Sequence, residues 1–209
     1  MIRTLLACLV VLGVLASSTA VMTHGFANWT FEAVRRADAR EGRLAATRID
    51  IVDSSGRDSV LWAAQGDSDA ILIVDFVYTN CVTVCQALGT EFAQMQAAVK
   101  SNRAGESKLR LVSFSLDVER DGRDELAAYA RRNGADPKTW IVAAPRTPQA
   151  SMQLMKQLGV IAIPDGFGGF VHNGTIHVID AHGVVRSIYD TGKWRDALDA
   201  ASALAARHS

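Results

Sequence analysis

The sequence predicts an α/β sandwich of three layers, preceded by one hydrophobic helix. Three observations carry this reading. Apolar runs of strand length alternate with helical patterns from residue 48 onward, the alternation closes on two short strands and a helix, and Arg3 is the one Arg, Lys, Asp or Glu before Glu32. Strand-helix alternation of this kind, ending in a hairpin and a helix, is the layering of a thioredoxin-type sandwich. The 209 residues, 49% hydrophobic and 21% charged, suit one domain with a full core plus an appendage. Lys plus Arg equals Asp plus Glu at 22 each, with no block of like charge, which excludes a nucleic-acid surface or a polyacidic partner.

The appendage is residues 1–29, and the sandwich is residues 30–209. The stretch "TLLACLVVLGVLASSTAVMTHGFANWTF" is long enough to cross a bilayer core as a helix. Read as a cleavable signal, it offers "SSTA" as a small-residue cleavage site around Ala20. Read as an anchor, it keeps Arg3 on the cytoplasmic side, and the uncharged run outlasts the usual apolar region of a signal peptide. Cys8 lies too early in it for a lipoprotein cleavage site. Either form puts the domain outside the cytoplasm, periplasmic or its equivalent, and the anchor form tethers it to the inner membrane.

The elements follow in order. "RIDIVDS" (48–54) alternates apolar and polar ahead of a Ser-Ser-Gly turn, as an opening hairpin strand does, and "AILIVDFV" (70–77) is a continuous apolar run suited to a central strand covered on both faces. "EFAQMQAAVK" (91–100) has helical spacing and "LRLVSFSLD" (109–117) is strand-like. "DGRDELAAYARRNG" (121–134) begins acidic and stops at Asn133-Gly134, the polarity of a helix. "TWIVAAP" (139–145) is a third core strand and "TPQASMQLMKQLG" (147–159) the next helix. "TIHVIDAHGVVRSIYD" (175–190) reads as two strands about a His182-Gly183 turn, and "GKWRDALDAASALAARH" (192–208) as the closing helix. The Gly-rich patch "PDGFGGFVHNG" (164–174) is a flexible loop by composition.

Two of the three cysteines, Cys81 and Cys85, follow the central strand at the start of the next helix. Backbone N–H groups and the helix dipole there stabilise an anion and lower a thiol pKa. Thr79 or Asn80 can cap that helix. A spacing of four places both sulfurs on one face, within reach of a disulfide after modest adjustment or of one shared ion; two buried cysteines acting as small hydrophobes is the bland reading. Among the histidines, His24 and His208 border the two ends, His182 is a turn residue and His177 sits mid-strand as a satisfied or exposed side chain. His172 stands at the end of the Gly-rich loop, where it can approach the helix start.

Three blocks, "DFVYTNCVTVCQALGTEF", "LVSFSLDVERDG" and "VHNGTIHVIDAHGVV", resemble the signatures of the Sco/SenC family, thioredoxin-fold copper proteins of cytochrome c oxidase assembly. Tyr78, Thr79, Cys81 and Cys85 match the first; Ser115, Leu116, Asp117, Arg120 and Asp121 match the second; His172, eight residues before Asp180 with Gly183 beyond, matches the third. The likeness covers residues 45–205. The chain departs from it at Val82, Gln86 and Val118, where most such proteins have proline, and the missing proline at 82 bears on the spacing of the two sulfurs.

The resemblance implies that Cys81, Cys85 and His172 hold one copper per chain, with Asp117 near the site in a supporting role; a turn-capping Asp117 is the alternative. Two thiolates and an imidazole suit Cu(I) and accept Cu(II), whereas zinc usually wants a fourth ligand. The function implied is a metallochaperone delivering copper to the CuA site of cytochrome c oxidase subunit II, or to another recipient. A metal-free thiol-disulfide reductase using Cys81 and Cys85 as a redox pair, and a copper-sensing module, are the alternatives.

Overall fold

The structure is a computed structural model, described here for residues 2–62, 70–80, 84–101, 108–166 and 169–207. Helix α1 (Ile2–Met22) has no buried residue and stands clear of the domain. At 1.5 Å per residue its 21 residues span about 32 Å, the thickness of a bilayer's hydrocarbon core. Helix α2 (Phe31–Arg40) was absent from the expected elements, because the polar ring of Glu32, Arg35, Arg36, Asp38 and Arg40 hides a narrow buried stripe. Thr30 caps it by accepting from the Ala33 N–H at 3.1 Å.

The domain is built on a seven-stranded sheet ordered β2-β1-β5-β4-β3-β8-β9. Its strands are β1 (Ile49–Asp53), β2 (Asp58–Leu61), β3 (Ile71–Val77), β4 (Leu109–Ser115), β5 (Trp140–Pro145), β8 (Thr175–Ile179) and β9 (Val185–Asp190). The three central strands β3, β4 and β5 run parallel; β1 and β8 flank them antiparallel. A separate two-stranded sheet, β6 (Ala162–Pro164) with β7 (Phe170–His172), replaces the expected flexible loop.

Strand β3 is buried at every position because it is covered on both faces. Ile71, Ile73 and Val77 pack with Leu88, Phe92 and Met95 of α3 (Val84–Ser101), Leu126 of α4 (Arg123–Asn133) and Ala197 of α6 (Trp194–Arg207). Leu72, Val74 and Phe76 face the other way, onto Leu154 and Leu158 of α5 (Pro148–Leu158) and Ala39 of α2. This is the three-layer, thioredoxin-like sandwich that the alternation predicts, with α2 and α5 opposite α3, α4 and α6. Helix α5 starts on Thr147 as its cap with Pro148 in the first turn, and Gly159 ends it at φ 65°.

Candidate metal centre

The C-terminal ends of parallel strands, where loops converge, carry the sequence-predicted site. Strand β3 leads out through Tyr78, Thr79 and Asn80, and β4 through Leu116 and Asp117; the Leu116 N–H donates to the Val77 carbonyl at 2.7 Å, carrying the pairing one step beyond the sheet. Cys81 lies outside the described residues. Cys85 stands in the first turn of α3, and its side chain is likewise outside them.

Asp121 holds this strand end. Its carboxylate accepts from the Thr79 backbone N–H at 2.9 Å, the Thr79 hydroxyl at 2.6 Å and the Ser115 hydroxyl at 2.7 Å, all buried. Arg132 adds a bond to the Thr79 carbonyl at 3.1 Å. The Thr79 hydroxyl therefore donates to Asp121 rather than serving simply as the cap of the following helix, and the described part of α3 starts five residues later, at Val84. The second sequence block already contained Asp121, but nothing in the sequence placed it against Thr79, 42 residues away.

His172 reaches the same end from β7. Its ring meets Tyr78 edge to face, with centroids 6.3 Å apart and planes at 77°. Phe170, on the same strand, packs on Tyr78 at 5.6 Å. The β6-β7 turn lies against this cluster so closely that a Cβ at Gly169 would fall 2.9 Å from the Tyr78 hydroxyl and 2.7 Å from Asp165 Oδ2. Asp165 closes the turn by accepting from the Gly169 N–H at 2.9 Å. Asn173 secures the base: its side-chain oxygen accepts from the Ile161 N–H at 2.8 Å, and its amide donates to the Gly159 carbonyl at 3.2 Å. His172 is thus carried on a paired strand sewn to the end of α5. Burial lowers its pKa, so the imidazole is neutral near pH 7, the form that binds metal.

Asp117 is buried at the end of β4. Burial raises its carboxyl pKa, and the Asp121 and Glu119 charges add to that, against the opposing pull of Arg120. The Arg120 guanidinium pairs with it at 3.0 Å, and the Ser115 hydroxyl accepts from its backbone N–H at 3.0 Å. These contacts belong to its own turn. Among the described residues no group of three His, Cys, Asp or Glu side chains gathers in metal-binding reach, and the described part of the predicted site is the His172 imidazole on β7 and the Asp117 carboxylate at the end of β4.

The other described histidines are placed elsewhere, and His208 lies outside the described residues. His182 is exposed in its turn, its backbone N–H donating to Asp180 at 2.9 Å. His177 is fully buried on β8, where its Nε2 accepts from Arg35 at 3.0 Å; burial first, then the neighbouring Arg35 charge, pushes its pKa down to about 3. Arg35 is itself buried and also bonds Glu32 at 2.9 and 3.0 Å and Thr175 at 3.0 Å, which fastens α2 to the sheet. His24, just past α1, pairs with Asp38 at 3.3 Å.

A sheet of this order, with helices on both faces, defines a thioredoxin-like protein. The SCO1/SenC family model matches residues 62–206, and the chain belongs to that family. A SCO1 protein homolog of Bacillus subtilis (strain 168) is 21% identical over 140 residues, 66% of this chain and 69% of the relative. The solved structure of Bradyrhizobium japonicum ScoI with copper bound has a TM-score of 0.61 at 20% identity, covering 79% of this chain and 99% of that one. A structure of BsSco, in which a disulfide switch was identified, has a TM-score of 0.65 at 17% identity, covering 78% and 94%; BsSco is described as a member of the Sco family of cytochrome c oxidase assembly proteins.

Proposed function

We propose that the protein is an exported, membrane-anchored copper chaperone that holds one copper as cargo through Cys81, Cys85 and His172, and delivers it to the CuA site of cytochrome c oxidase subunit II. The observation that carries this reading is His172: a neutral imidazole packed on Tyr78, three residues ahead of Cys81. A dithiol reductase has no need of such a group. Two thiolates and one imidazole are a soft, three-donor set suited to Cu(I) and tolerant of Cu(II). The copper-bound Bradyrhizobium japonicum relative supports the metal, and the oxidase-assembly description of BsSco supports the recipient. Asp117, buried beside the β3 end, tunes the site's charge through its pairing with Arg120.

The disulfide switch of BsSco favours a second reading, in which Cys81 and Cys85 reduce a partner. The pair's two thiols would become a disulfide as the partner's disulfide becomes two thiols, two electrons and two protons passing across. Copper stoichiometry of the full chain in detergent, measured with and without reductant, separates the two. One copper per reduced chain and none on the oxidised chain supports the chaperone. No copper on either form, with reduction of an oxidised peptide of the oxidase copper site, establishes the reductase instead.

A further inference from the structure

The β6-β7 hairpin has two faces. His172, whose ring meets Tyr78, pairs with Ala162, while Ile163 and Val171 pair on the other face and stand 58% and 66% exposed. An apolar groove of about 550 Å³, walled by Phe31 and Val34 of α2 and Met152 and Met155 of α5, reaches the base of this hairpin at Ile161, just ahead of β6, and Ala162. Trp29, Phe31 and Met152 are each more than half exposed. Apolar surface of this extent on one side of a domain calls for a covering partner.

The chain's own path says what covers it. Helix α1 ends at Met22, and two residues later His24 is held to Asp38, which lines the groove, and to Arg43 at 2.8 Å. Two residues of chain reach at most about 7 Å. The end of the apolar helix is therefore fixed at the rim of the groove. Phe26 and Trp29, both exposed, lie between that point and α2, where aromatic residues mark the headgroup level of a bilayer. Exposed Lys156, also lining the groove, can lay its stem on the apolar surface with its ammonium at lipid phosphates.

From this continuity we infer that the face formed by Trp29, Phe31, Met152, Ile161, Ile163 and Val171 rests on the bilayer that α1 crosses, so that the domain is docked and not merely tethered. Because His172 occupies the opposite face of the same hairpin, docking sets the candidate metal centre one hairpin thickness above the lipid. The site would then face a recipient whose own metal site lies close to the membrane. The inference rests on reading α1 as an uncleaved anchor.

The full chain, reconstituted in phosphatidylcholine vesicles with and without brominated acyl chains, tests it. Ile163→Trp and Val171→Trp place a reporter on the face; Val60→Trp, on the edge strand at the far side of the sheet, is the control. Docking predicts that emission added at 163 or 171 is quenched by brominated lipid at least about twofold more than emission added at 60. Equal quenching at all three positions, in a chain that floats with the vesicles, overturns docking and leaves the anchor standing. Quenching absent at 163 and 171, with concentration-dependent crosslinking between them, overturns the lipid in favour of a second copy. Failure of the chain to float overturns the anchor, and docking with it.

Discussion

Asp75→Asn has a pH signature that can be worked out in advance. Asp75 sits in the middle of β3, fully buried, facing the α3 layer with Glu91 nearby, and its carboxylate oxygens have no well-formed hydrogen bond among the described residues. Burial pushes its pKa up to about 7, the Glu91 charge adds to this, and the Ser113 hydroxyl opposite it on β4 draws it back only in part. An unfolded aspartate titrates near 3.9, so the folded state binds the extra proton between those values, and stability that is complete below pH 4 is lost as pH rises through 7. Three units at about 1.4 kcal/mol each make the full loss about 4 kcal/mol. His177 does the opposite: its pKa of about 3, against about 6.5 unfolded, contributes stability that is complete above pH 6.5 and lost as pH falls toward 3. Between pH 4 and 6.5 the two slopes cancel. Asparagine has the same shape and no titration, so the stability of Asp75→Asn relative to the unmodified chain should improve by about 2.5 kcal/mol from pH 5 to pH 8. The variant alone should also gain about 1.4 kcal/mol per unit from pH 4 to 6.5 from the unmasked His177. Urea unfolding followed by circular dichroism at pH 5, 6.5 and 8 measures both. A difference between the two proteins that stays constant across that range would refute the placement of a titrating acid in this core.

Cys81→Ser, Cys85→Ser and His172→Ala should each remove copper binding or weaken it by orders of magnitude in a titration, while His182→Ala leaves it unchanged. Copper at a hundredfold excess over its Kd should stabilise the reduced protein by about 2.7 kcal/mol in thermal unfolding and leave the oxidised protein unmoved, because a Cys81-Cys85 disulfide has no thiolates to offer. Asp121→Ala leaves the Thr79 and Ser115 donors buried without their acceptor; it should cost about 3 kcal/mol by urea unfolding and weaken copper binding as the β3 end loosens. Arg35→Met should cost at least about 2 kcal/mol and speed amide exchange in α2, since Arg35 fastens that helix to Thr175 and His177.

Strand β3, helix α5 and the closing hairpin were legible in the sequence because each rests on local chemistry: an unbroken apolar run, a helical spacing over 147–159, a His-Gly turn. His172 was legible through its spacing to Asp180 in a family pattern. That it rides a paired strand, with Tyr78 against its ring and Asn173 sewing its base, was not, because the partners of β6 and β7 are set by pairing across a short loop of weak propensity. Helix α2 escaped because its charges face one another and the buried Arg35, and burial of an arginine is decided by partners more than a hundred residues away. Composition and periodicity by themselves determined the layers and the long apolar segment at the N-terminus, since these depend on residue type and period alone, whereas the candidate donor set came from the family resemblance. Only the tertiary structure decided that Asp121 locks Thr79 and that His177 belongs to the core, because each is a contact between segments distant in the chain.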